Sequence, residues 1–196
     1  MIITHTDLLD KLRDFASPKA KITRLLESEE LIQLRRGLYL DSKHEGYSLF
    51  EIANTLYGPS YVSFESALSF YGFIPEKVQI VMSASFKKNK TKTYATKIAN
   101  FHYYHVPDLV FPWGVDKVTE GDHSFLIAIP EKALLDTLYR ISKYDNDLEE
   151  LLYSDLRLDK KLLKTLDLEI IKQIAPDYTR NICQDFARWL EKEALG

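Results

Sequence analysis

LIQLRRGLYL, residues 31–40, decides how the chain is read. Ile32 and Leu34 alternate, Leu38 and Leu40 alternate, and Arg35-Arg36-Gly37 stands between them. Period-two alternation marks strands with one buried face. Gly37 can adopt the positive φ that a tight hairpin demands. The stretch therefore predicts a two-stranded hairpin with two arginines at its tip.

Upstream, the period changes to that of helices. Thr6 is the expected N-cap of a first helix, in which Leu8, Leu9, Leu12 and Phe15 recur on one side. Ser17-Pro18 ends that helix and opens a second, with Pro18 at its first position. The second helix, from Pro18 to about Ser28, buries Ile22, Leu25 and Leu26. At about 100° per residue, Lys21 and Arg24 fall opposite that stripe. Lys19 lies nearer the stripe but in the first turn, from which it can reach outward. Helix, short turn, basic helix and hairpin follow the order of a winged helix-turn-helix. Such a helix can present Lys19, Lys21 and Arg24 to a major groove, while Arg35 and Arg36 meet the adjacent backbone or minor groove. Glu27, Glu29 and Glu30 oppose this unless they turn away.

Composition sets the outer bounds. The chain has 196 residues, 45% hydrophobic and 28% charged, which is a globular balance and excludes a disordered or low-complexity chain. The lone cysteine, Cys183, allows no internal disulfide and no cysteine-based zinc site, so a reducing cytoplasm is expected. No apolar run nears the ~18 residues a membrane span needs, and MIITHTDLLDKLRDF lacks the apolar core of a signal peptide. Residues 1–43 carry eight Lys/Arg against seven Asp/Glu, residues 44–106 six against four, and residues 107–196 twelve against eighteen. A polyanion is thus expected at the N-terminal half.

Two domains are expected: residues 1–43 as the winged helix and 44–196 as a mixed α/β domain that ends in a helical block. The fold class is α+β. DSKHEGYS, residues 41–48, reads as a linker. Leu49–Leu56 and a segment opened by Ser60 or Ser63 read as helices, and KVQIVMS, residues 77–83, as a buried strand. Ile98–Val106, Asp116–Val118 and Ser124–Ile129 read as further strands. A helix starts at Pro130, and four more helical patterns follow, broken near Ser154, Asp167 and Ala175-Pro176. SFKKNKTKTYATK, residues 85–97, holds five lysines and no acid. It reads as an exposed hairpin or loop. Lys87, Lys88, Lys90 and Lys92 are candidates for a second polyanion contact.

Signals of chemistry are sparse. No GxGxxG, GxxxxGK[ST], HExxH or GxSxG occurs. His102 and His105 are three apart on an expected strand and so point to opposite faces, which disfavours a shared metal. Asp159-Lys160-Lys161 carries the D-x-K fragment of nuclease sites, but on a helical pattern. Asp136 is expected as an ion-pair or capping residue and Cys183 as a core thiol. No catalytic residue, metal or cofactor is expected.

RRGLYL behind a basic helix resembles the N-terminal module of the AbiEi-type antitoxin family of bacterial type IV toxin–antitoxin systems. YVSFESALSFYGF (61–73), KVQIVMS (77–83) and IPEKALLDTLY (129–139) resemble further segments of that family in order and spacing, over roughly residues 5–140. The resemblance implies a non-enzymatic, two-part protein. Its winged helix would bind inverted repeats in its own promoter and repress the operon. Its C-terminal domain would neutralise a nucleotidyltransferase-like toxin, in many cases without a stable complex. By position, Lys19, Lys21 and Arg24 would be recognition-helix contacts, Arg35 and Arg36 wing contacts, and Gly37 structural. Tyr71-Gly72, Glu131, Lys132 and Asp136 match segments to which no chemical role is assigned. Two alternatives stay open: a nuclease or transferase delivered by the winged helix, and a regulator that binds only protein.

Overall fold

The computed structural model describes residues 1–195 apart from 44–45, 76–79, 89, 144 and 146, and only the backbone of Ala194 and Leu195. It is a mixed α+β protein built around two sheets.

The first sheet has three antiparallel strands: β1 (Ile2–Thr4), β2 (Leu31–Arg35) and β3 (Leu38–Asp41), in the order β1-β3-β2. Two helices, α1 (His5–Lys11) and α2 (Pro18–Glu27), connect β1 to β2. β1 is absent from the sequence reading, and its presence moves the first N-cap from Thr6 to Thr4. The Thr4 hydroxyl accepts from the Asp7 N–H at 3.2 Å and donates to the Asp7 carboxylate at 2.6 Å. Phe15 lies beyond α1 and is exposed, not buried with Leu8 and Leu12. The hairpin is as expected. Gln33 pairs with Tyr39 and Arg35 with Leu38, so Leu34 is the extra residue of a bulge. Gly37 turns the chain at φ +81°.

Both faces of this sheet are covered. Ile3, Leu31 and Tyr39 join Leu8, Leu12 and Ile22 in a small core. Leu34, Leu38 and Leu40 join the main core on the other side. Strand alternation sends Tyr39 one way and its neighbours Leu38 and Leu40 the other.

The second sheet has six strands: β4 (Ser60–Val62), β5 (Ile80–Ser85), β6 (Lys92–Ala95), β7 (Asn100–His105), β8 (Val115–Glu120) and β9 (His123–Ala128), in the order β6-β7-β5-β4-β9-β8. β5/β7 and β4/β9 are parallel and the other pairs antiparallel. Helices α3 (Leu49–Leu56), α4 (Phe64–Phe70) and α5 (Pro130–Arg140) cover it. Tyr103 and Tyr104 point to opposite faces of β7. The Tyr103 hydroxyl donates to the Ala53 carbonyl of α3 at 2.7 Å. The Tyr104 ring lies 5.3 Å from Phe64 of α4 and 5.1 Å from the Arg140 guanidinium of α5. So α3 packs on one face and α4 with α5 on the other.

Ser60 does not open a helix: Ser60–Val62 is β4, one of the two central strands, and α4 starts after Ser63. β5 begins at Ile80, and Lys77, Val78 and Gln79 of the expected strand lie outside the described residues. The last fifty residues form a π-helical turn (Glu150–Asp155), α6 (Lys160–Leu163), α7 (Leu168–Ile174), a 3₁₀ turn (Ala175–Asp177) and α8 (Asn181–Leu195). Leu152, Leu163, Ile171, Cys183 and Phe186 from this block enter the main core. Among the described residues no helix is long and apolar enough to cross a membrane.

Candidate nucleic-acid interface

α2 packs through Ile22, with Leu25 and Leu26 beside it in the small core. Its outward face carries Lys19, Thr23, Arg24 and Glu27, all exposed. Lys21 is half-buried at the flank of this face, with its ammonium 5.5 Å from the centre of the Phe15 ring. Lys19 is therefore the more outward of the two lysines, the reverse of the order expected from the helical wheel.

The arginines of the hairpin tip have different surroundings. Arg35 donates from Nε to the Leu56 carbonyl at 2.9 Å, closing the C-terminal end of α3. It also reaches the Arg36 carbonyl at 3.3 Å. Arg36 itself is exposed and enters no ion pair among the described residues. One tip cation thus ties the three-stranded sheet to α3, and the other enters no ion pair among the described residues.

The three glutamates near α2 also divide. Lys97 donates to the Glu29 carboxylate at 2.7 Å and holds it below the usual carboxylate range. Lys43, with help from Ser28, does the same for Glu30. Of the three, Glu27 alone enters no ion pair among the described residues. Repulsion of an anion from that face would thus come from one unpaired acid, not three.

The lysine-rich stretch lies along the edge of the large sheet, in the β5–β6 connection and β6. The ammonium of Lys87 sits 5.0 Å from the Phe86 ring, that of Lys88 5.4 Å from Tyr57, and that of Lys92 5.2 Å from Tyr94. Tyr57 and Tyr94 are 6.0 Å apart. Burial raises the Tyr94 hydroxyl above its usual range, and the nearby Arg35 charge partly offsets this. Tyr57 and Tyr94 are absent from the sequence reading. Tyr94 stands among lysines, an aromatic-basic interleaving that could have marked it, whereas Tyr57 is remote in sequence.

Other candidates resolve into structural roles. Asp136 is fully buried and accepts four hydrogen bonds: from Tyr61 (3.1 Å) and Ser63 (2.7 Å) on one oxygen, and from Lys132 (2.5 Å) and Tyr178 (2.6 Å) on the other. A carboxylate has about four acceptor positions, so none is left for a substrate proton. Lys132 also donates to the Tyr178 hydroxyl at 2.7 Å. Burial pushes the Lys132 ammonium below the lysine range, and the Asp136 charge pulls it partly back. Burial and then the same charge push Tyr61 and Tyr178 well above theirs. Glu131 accepts the Asp167 N–H at 2.8 Å, joining α5 to the start of α7. Asp159 caps α6 by accepting from the Lys161 and Leu162 N–H groups. His102 lies 3.3 Å from the Tyr104 hydroxyl on one face of β7, with His105 on the alternate face. Among the described residues no three His, Cys, Asp or Glu side chains converge as metal ligands would.

No protein-family model matches the chain, and no curated protein is similar to it.

Proposed function

We propose that the chain is a DNA-binding antitoxin of the AbiEi type, which represses its own operon and neutralises a nucleotidyltransferase-like toxin without itself being an enzyme. The N-terminal unit is then a winged helix, with α2 in the major groove and the β2–β3 tip beside it. One observation carries this reading. Lys19, Arg24 and Arg36 are exposed and enter no ion pair among the described residues, while two of the three neighbouring glutamates are neutralised within the protein. The strand–helix–helix–hairpin order and the β1-β3-β2 sheet support it. Within this reading Lys21 is a flank contact, and Arg35 acts by fixing the wing. The toxin and the promoter repeats rest on the resemblance of RRGLYL and IPEKALLDTLY to that family. A cytoplasmic setting accords with the single, buried cysteine.

The test is a gel-shift titration on DNA from just upstream of the gene, at two salt concentrations, with an unrelated fragment as control. Selective, salt-sensitive binding is expected. Arg36→Gln should weaken all sequences about equally and reduce the salt slope by about 1, whereas loss of a base contact at Lys19 or Arg24 should cost about 1–3 kcal/mol on the preferred site alone. Equal affinity for both fragments, unchanged by any of these variants, overturns the assignment. Co-expression with the adjacent gene then tests the toxin half. Rescue of growth by the full chain supports it, and continued toxicity refutes it.

A further inference from the structure

The geometry points to a second DNA-contacting element outside the winged helix: the lysines at the edge of the large sheet, Lys87, Lys88, Lys90 and Lys92, which would grip the duplex that flanks the wing. This rests on the DNA-binding reading above and extends it.

The two basic stretches are about fifty residues apart in sequence and adjacent in space. Arg35, at the hairpin tip, bonds the Leu56 carbonyl at 2.9 Å. The next residue, Tyr57, lies under the Lys88 ammonium and 6.0 Å from Tyr94, which in turn lies under Lys92. Each measured contact in this series is 6.0 Å or less. Lys88 and Lys92 therefore lie near the hairpin tip, within about one turn of duplex, about 34 Å.

Charge identifies the occupant. Lys87, Lys88, Lys90 and Lys92 enter no ion pair among the described residues, whereas Lys97 of the same stretch is taken up by Glu29. Three of the four are held against aromatic rings, so less freedom is lost when they meet phosphate. Four cations without an ion pair among the described residues, near a hairpin tip that also exposes Arg36, complement a phosphate backbone running past the wing. Lysines on an edge strand can also serve only to prevent pairing with another sheet, and the test separates the two.

The full chain is titrated by fluorescence anisotropy against a labelled random-sequence duplex of about 20 base pairs over a range of salt, because log K falls by about 0.9 per phosphate contact for each unit of log salt. The quadruple variant K87Q/K88Q/K90Q/K92Q should lower that slope by about 2–4 and weaken binding roughly 10- to 100-fold at low salt. Its arginine counterpart should retain both. If the unaltered protein binds and R36Q weakens it, but the quadruple variant keeps the full slope and affinity, the extension is overturned and the winged helix stands. Self-association of that variant would then mark the lysines as edge guards. If the unaltered protein binds no duplex, the winged-helix reading and its extension both fall.

Discussion

Asp136→Ala should be the most damaging single polar change in the molecule. It removes the acceptor of four hydrogen bonds and leaves the Lys132 ammonium fully buried, with the Tyr178 hydroxyl as its one hydrogen-bond partner among the described residues. Breaking a buried pair from one side costs about 3–5 kcal/mol. A second route gives the same size. If Lys132 escapes by losing its proton near pH 7, the departure from an ordinary value of about 10.4 costs roughly 4.6 kcal/mol at 1.36 per unit. At about 2–4 °C per kcal/mol for a chain of this length, the melting temperature should fall by about 10–15 °C. Urea unfolding followed by circular dichroism and by the fluorescence of Trp113 and Trp189 measures it. With a slope near 2 kcal/mol/M, the midpoint should drop by about 2 M. The pH dependence gives an independent sign. In the variant the native lysine is neutral and the unfolded one protonated, so the unfolded state binds the extra proton and stability rises with pH. That rise runs from the lowered native value up to the ordinary lysine range, at up to about 1.36 kcal/mol per unit. The double variant K132M/D136L should recover much of the loss, because no charge stays buried. A midpoint shift below about 0.5 M urea, or no recovery of the single variant toward pH 9, would refute the reasoning.

Three further outcomes follow from separate features. Burial and the nearby Asp136 charge push the Cys183 thiol up to about 12, so the native protein should resist a disulfide reagent near neutral pH and react only once unfolded in urea; fast stoichiometric labelling without denaturant would contradict this. Gly114 holds φ +60°, and a Cβ there would sit 3.0 Å from Lys132 Cβ and 3.2 Å from Ile129 Cγ1. Gly114→Ala should therefore destabilise by about 1–3 kcal/mol in thermal melts, and an unchanged melt would sink the assignment. Lys97→Gln frees Glu29 near α2 without touching the core, so melting should stay the same while affinity for duplex DNA falls a few-fold below that of the unaltered protein at low salt, a difference that narrows as salt rises; an affinity equal to the unaltered protein's at low salt would refute it.

What the sequence disclosed followed the strength of local signals. Pro18 and the Ile22-Leu25-Leu26 stripe marked α2, and Gly37 marked the hairpin, because each is set by neighbours within a turn or two. β1 and β4 escaped, since three residues cannot display a period, and Ser60 and Ser63 are N-cap residues by type. Arg35 and Arg36 are equal in sequence. Only the bulge at Leu34 and the end of α3 separate a tying arginine from a free one. The i,i+4 spacing of Lys132 and Asp136 is visible along the chain. Their partners Tyr61, Ser63 and Tyr178 lie 42 to 75 residues away and emerge only when β4, α5 and the 3₁₀ turn come together. The ring beneath Lys88 is hidden for the same reason.

The sheet of β1, β2 and β3 has no solvent face: Tyr39 belongs to one core, and Leu38 and Leu40 on either side of it belong to the other. A strand cannot surrender every second side chain and keep the rest in place. The N-terminal unit and the body behind it should therefore melt in one cooperative step and share one calorimetric transition. That unit is also not a transplantable cassette. Severed near residue 43, it would show Leu34, Leu38 and Leu40 to water as a sticky apolar plate. Its partner would lose a wall. Domain exchange among proteins of this design would have to carry both pieces together, or replace three leucines with residues content in water.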